Sequence, residues 1–191
     1  MKRFVIVALL AVVLAPMAEA QHDLSAWFNM RGGNTTVIPW YVYNGPVYID
    51  ARYNFDAKDS GAVFIGKAFG DKVKFIPAVG GIVGKYDGIS AELNIIGKAW
   101  IIDYFTLNQY SYGLGDSPDF VYHYGDFMIP VTENFSVGIN EQWYYEKGAH
   151  GAFDIGPVVK VKTNDGLYLK GWLATTNTGS HKFMLGFGLS R

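Results

Sequence analysis

A closed, antiparallel, up-and-down β-barrel of about twelve strands, apolar outside and polar within, is the fold class this sequence predicts. Three observations predict it. Apolar and polar residues alternate through nearly the whole chain after residue 20. Clusters of Gly, Asn, Asp and Pro interrupt that alternation at regular intervals. Nothing with helical periodicity lies between the interruptions. Barrels of eight or ten strands are the alternatives.

The first twenty residues form a separate object. Lys2 and Arg3 make a basic start, Phe4 to Leu14 an apolar core, and Ala18-Glu19-Ala20 places small residues where signal peptidase needs them. This is the pattern of a secretory signal peptide, residues 1–20, with cleavage expected before Gln21. The apolar run is too short to span a bilayer, which takes about twenty residues. Residues 21–191 then form a single barrel domain. The absence of Cys excludes a lipid-modified cysteine and a disulfide framework.

Composition narrows the class further. Net charge is −1 with no basic or acidic block, so no nucleic-acid partner is implied. Charged residues are 17% while hydrophobic residues are 50%, against about 25% charged in an average soluble domain. A chain so apolar, with no long apolar run after the signal, must place its hydrophobes at alternate positions.

The interruptions come in order at Arg31–Asn34, Asn44–Pro46, Asp56–Gly61, Gly70–Lys72, Lys85–Gly88, Ile96–Lys98, Leu114–Asp119, Pro130–Asn134, Glu146–Gly151, Thr163–Gly166 and Asn177–Ser180. Gly, Asn and Asp supply the positive φ of tight hairpin turns. The even-numbered turns are mostly tight and the odd-numbered ones include the longest. A membrane barrel with both termini on the periplasmic side has that asymmetry.

Between the turns, successive side chains point to opposite faces. Leu24, Ala26, Phe28 and Met30 oppose Ser25, Trp27, Asn29 and Arg31. Val47, Ile49, Ala51, Tyr53 and Phe55 oppose Tyr48, Asp50, Arg52, Asn54 and Asp56. Ile89, Ala91, Leu93 and Ile95 oppose Ser90, Glu92 and Asn94. Phe135, Val137, Ile139, Trp143 and Tyr145 oppose Ser136, Gly138, Asn140, Gln142 and Tyr144. Ile155, Pro157, Val159 and Val161 oppose Asp154, Gly156, Lys160 and Lys162. Phe183, Leu185, Phe187 and Leu189 oppose Met184, Gly186, Gly188 and Ser190.

The polar face decides which way the barrel turns. A soluble barrel would show many Lys and Glu to water. Here that face carries Gly, amides and charges of both signs, which suits a crowded interior. Asp50, Arg52, Asp56, Glu92, Asp154, Lys160, Lys162 and Lys170 are positioned to pair there. Trp40, Tyr41, Tyr43, Trp100, Tyr110, Tyr112, Trp143, Tyr145 and Trp172 cluster near strand ends, as at membrane interfaces. Three residues break the phase. Glu141 falls on an apolar face, and Asp103 and Lys67 sit in apolar runs, so a bulge or an apolar stretch of lumen is expected near them.

With its cleavable leader, amphipathic strands, aromatic strand ends and alternating final strand Lys182–Ser190, the chain resembles small bacterial outer-membrane β-barrel proteins over residues 24–190. That resemblance implies a transmembrane barrel in the outer membrane, with the lipid bilayer as its main partner and the barrel-assembly machinery as a partner during biogenesis. Members of that family commonly end in an aromatic residue, whereas this chain ends Ser190-Arg191.

No catalytic, metal or cofactor motif appears. The candidate lumen-lining residues are Asp50, Arg52, Asn54, Glu92, Asn94, Asn140, Gln142, Asp154, Lys160, Lys162 and Lys170. The function expected is a narrow passive channel for small polar solutes, or a structural envelope protein. A soluble periplasmic or secreted barrel with an apolar ligand is the alternative. A lipid-modifying enzyme built on His123, with Ser111, Ser117 or Asp126 nearby in sequence, is a minor one.

Overall fold

The computed structural model describes residues 21–149 and 151–191; the leader 1–20 and His150 lie outside the described residues. The chain forms twelve strands: β1 (Gln21–Arg31), β2 (Asn34–Asn44), β3 (Tyr48–Tyr53), β4 (Ser60–Gly66), β5 (Val73–Gly84), β6 (Gly88–Ala99), β7 (Ile102–Gly113), β8 (Phe120–Pro130), β9 (Phe135–Glu146), β10 (Ala152–Lys162), β11 (Leu167–Thr176) and β12 (His181–Ser190). Each pairs antiparallel with its chain neighbour, and β12 returns to β1, so the barrel closes. Closure pairs every strand on both sides and leaves no open edge, a requirement for any sheet placed in lipid. An even strand count brings both termini to one end. There the His22 amide donates to the Arg191 carbonyl at 2.6 Å and the Arg191 amide returns a bond at 2.8 Å.

The two faces differ sharply. Large apolar side chains project outward on every strand: Leu24, Val63, Val79, Leu93, Val159, Leu173 and Phe187 among them are exposed. Inside lie Asp50, Arg52, Glu92, Asn94, Gln109, Ser111, Asn140, Gln142, Asp154 and Lys170, all buried. An apolar outer wall around an interior that mixes buried charges with apolar side chains such as Phe64, Ile76, Leu107 and Val158 suits lipid rather than water. A soluble barrel would not expose such a wall of Val, Leu, Ile and Phe to water.

Several expectations change. The turn expected at Ile96–Lys98 lies at Trp100–Ile101 instead, with Ala99 facing Ile102 across it. Trp100 itself takes the left-handed φ of 56°, a conformation that a bulky residue rarely adopts. Gly97 stays within β6, where Tyr104 packs over it so closely that a Cβ would clash. Asp103 thereby falls at the barrel rim and pairs with Lys98 at 3.5 Å. Lys67 lies just beyond the end of β4, in the connection to β5. No bulge corrects Glu141: the β8–β9 register runs unbroken through it, and its side chain stays on the outer wall. Trp40 and Trp172 turn inward and are buried, so they do not belong to an interfacial belt.

Phe55 is the largest correction. Its alternation with Tyr53 would point it outward. Asn54, at φ 61°, reverses the chain just after β3. Its side-chain amide donates to the Val37 carbonyl at 2.9 Å, and its side-chain oxygen accepts from the Asp59 amide at 2.7 Å. The local twist swings Phe55 and Asp56 into the mouth of the barrel.

Candidate functional site in the barrel lumen

Arg52 anchors the interior. Its guanidinium donates to Asp50 at 3.0 Å, to both oxygens of Asp56 at 3.1 Å, to Glu92 at 2.8 Å and to Gln109 at 2.7 Å. The planar fork reaches all of these acceptors at once, with Nη2 shared among Asp56, Glu92 and Gln109, which an ammonium cannot do. Phe55 and Phe64 cover the guanidinium at 4.7 and 4.5 Å from their ring centres. The acids are held in turn. Trp40 donates its indole N–H to Asp50 at 3.0 Å, Tyr48 its hydroxyl to Asp50 at 3.2 Å, and Asn94 its amide to Glu92 at 2.5 Å. One cation therefore faces three carboxylates, and the layer joins β2, β3, β4, β6 and β7. Above it Phe55 rests against Trp40 and Tyr122, at 4.8 and 5.3 Å between ring centres.

The other half of the wall is built on lysines. Lys170 pairs with Asp126 and donates to the Tyr124 hydroxyl at 2.9 Å. Asn140 donates to Asp126 at 2.5 Å and Tyr124 to the same carboxylate at 2.7 Å. Lys182 bonds Gln142 at 2.9 Å and Asp154 at 3.4 Å. Lys160 stands directly across from Lys170 in the β10–β11 register. It lies 4.6 Å from the centre of the Tyr168 ring, and no ion pair joins it to a carboxylate among the described residues. Gly186 opens the space Trp27 occupies, since a Cβ there would overlap the indole.

Below these layers, at the end that holds both termini, a cavity of about 510 Å³ opens into the lumen. Its wall includes Lys72, Lys74, Lys98, Lys160 and Lys170 against Asp71, Asp103 and Asp126. At the opposite mouth, Tyr86 in the β5–β6 turn packs edge-on against Phe120, at 5.1 Å between ring centres. Burial, then the fields of Asp119, Asp56 and Glu146, push its phenol up to about 12.

Asp50, Arg52, Glu92, Asn94, Asn140, Gln142, Asp154 and Lys170 thus sit buried inside, and Lys160 is half-buried there. Asn54 is elsewhere, in the β3–β4 turn, because its left-handed backbone ends the alternation. Lys162 is exposed at the end of β10, beyond the layers described. The network also uses Asp126, Lys182, Gln109 and Tyr124, which the candidate set omitted. Alternation alone could have found Lys182, two residues before the inward Met184.

The His123 constellation does not assemble. Ser111 and Asp126 are inside the barrel, while His123 faces outward, bonded to Asn108 at 2.8 Å and Glu141 at 3.2 Å. The wall stands between them. Ser117 is in the β7–β8 loop, accepting from the Asp87 amide at 3.1 Å.

Twelve antiparallel strands, a sealed seam, an apolar exterior and a charged interior are together on one chain. The fold is that of the outer-membrane β-barrels. The barrel is similar to the solved structure of a KdgM porin in complex with disordered oligogalacturonate, with a TM-score of 0.64 at 8% identity, over 88% of this chain and 99% of that one. A second KdgM porin structure gives 0.60 at 11% identity over 88% and 99%. A loop-deletion mutant of OmpT, an outer membrane protein of Vibrio cholerae, gives 0.51 at 8% identity over 91% and 98%. No protein-family model matches the sequence, and no curated protein does. Within this fold the chain carries the short strands β3 and β4 beside the Phe55 turn, so its wall is lowest where Phe55 and Asp56 fold in.

Proposed function

We propose that the protein is a narrow passive channel of the outer membrane for small polar solutes, with a preference for anions. The observation that carries this reading is the lysine-lined cavity of about 510 Å³ at the end holding the termini. Lys160, half-buried and in no ion pair with a carboxylate among the described residues, adds a positive charge at its inner end. Barrels of about eight strands are filled by their side chains, and those of sixteen or more hold an aqueous channel. Twelve strands leave a passage that a few side chains can narrow. One of the similar porins was solved in complex with oligogalacturonate, an acidic oligosaccharide, a solute class that suits a basic vestibule.

A second reading is favoured by one specific observation. The Arg52 layer and Phe55 fill the mouth opposite the cavity, as a structural plug would. Purified protein in planar bilayers separates the two. A small ohmic conductance with a reversal potential favouring anions supports the channel. Silence from folded protein over repeated insertions, or cation preference, would overturn it.

A further inference from the structure

Among the described residues, the outer wall carries one polar island. At mid-height the outward residues of other strands are apolar, as at Val63, Val79, Val159 and Leu173. On β7, β8 and β9 they are Asn108, His123 and Glu141. The three are joined. Asn108 donates its amide to the Leu93 carbonyl at 3.1 Å, which turns its oxygen toward His123 Nδ1 at 2.8 Å. The other ring nitrogen meets Glu141 Oε1 at 3.2 Å. Trp143 stacks on the imidazole at 5.9 Å between ring centres. Gly125 lies under the Glu141 side chain, where a Cβ would press on it at 3.2 Å.

Glu141 is left half-served. Its side chain is 31% exposed, and no hydrogen bond to Oε2 is formed among the described residues. Lipid tails offer no donor to that oxygen. Ionisable groups on a membrane-facing surface are costly, and such a group marks a function by default. What covers this one must bring polar groups at the same depth.

We infer that the β7–β9 face is the contact surface for a second copy of this chain. Two barrels inserted in the same direction can be related only by an axis along the membrane normal. That axis preserves depth, so an island at mid-height meets its own copy at mid-height. A two-fold contact must also be self-complementary. The island qualifies, since it holds an unspent acceptor in Glu141 Oε2 and a donor in the indole of the exposed Trp143, while both amide hydrogens of Asn108 are taken by Leu93 and Thr106. No other described stretch of the mid-wall offers such a complement. The inference rests on the barrel lying in a bilayer, as proposed above.

The test uses the full-length mature protein, whose lack of Cys permits single-cysteine labelling. Ile139→Cys lies beside Glu141 on β9, and Phe187→Cys is equally exposed on β12. In proteoliposomes at high lipid dilution, a short bis-maleimide should join I139C into dimers several-fold more than F187C. The double variant His123→Leu with Glu141→Leu, in the I139C background, should weaken the dimer roughly tenfold or more. Equal cross-linking at both positions, or an unchanged dimer in the double variant, overturns the inference. If that variant does not fold, the comparison of the two cysteines decides alone. A protein that stays dissolved without detergent would instead sink the membrane reading, and the contact surface with it; monomers in a bilayer would sink only the contact surface.

Discussion

Arg52 and Glu92 are separated by 40 residues in sequence yet meet at 2.8 Å, with neither side chain exposed. They belong to β3 and β6, which are not neighbours in the sheet. The pair therefore reaches across the lumen and ties one arc of the wall to another.

Breaking that tie should be costly. Arg52→Met leaves Asp50, Asp56 and Glu92 buried without a counter-charge. Removing one partner of a buried pair costs about 3–5 kcal/mol. Urea unfolding in detergent micelles, followed by the cold-SDS mobility shift of the folded barrel, should show the loss. Arg52→Lys should recover only part of it, because an ammonium cannot bridge three carboxylates in a fork.

Phe55 and Asp56 should act as the lid of the mouth. Phe55→Ala removes the ring lying over Arg52, and Asp56→Ala releases the turn from the guanidinium. Each should raise single-channel conductance in planar bilayers, the double variant most. Unchanged conductance in the double variant would show that the constriction lies elsewhere.

Lys160 should set charge preference. Lys160→Glu places an acid opposite Lys170 and turns the inner end of the cavity negative. The reversal potential in a salt gradient should move toward cations, while folding is retained because Lys160 has no ion-pair partner to lose among the described residues. Lys162→Glu, at an exposed strand end, should move it much less.

Trp100→Gly should stabilise the hairpin in detergent. A non-glycine residue in the left-handed region costs about 1–2 kcal/mol, and Trp100 holds φ 56° while 88% exposed. Thermal unfolding should rise in micelles. Transfer to a bilayer should cancel part of the gain, since a Trp at the membrane interface is favourable there.

Strand number was legible in the regular turn clusters, and facing in the alternation, because a strand's side-chain period is two. Every inward–outward assignment for Leu24–Met30, Ile89–Ile95 and Phe183–Leu189 follows from that period, and so does the choice of lipid over water for the outer face. What alternation cannot carry is a break in its own phase. Asn54 and Trp100 adopt left-handed backbone where the sequence offered no glycine, so Phe55 turned inward and the β6–β7 turn moved. Nor can it tell which charges meet, because Arg52 with Glu92 and Lys182 with Asp154 join strands distant in sequence. Those pairings, and the meeting of Asn108, His123 and Glu141 on one patch of wall, depend on inter-strand register and barrel curvature. Only the closed structure sets those.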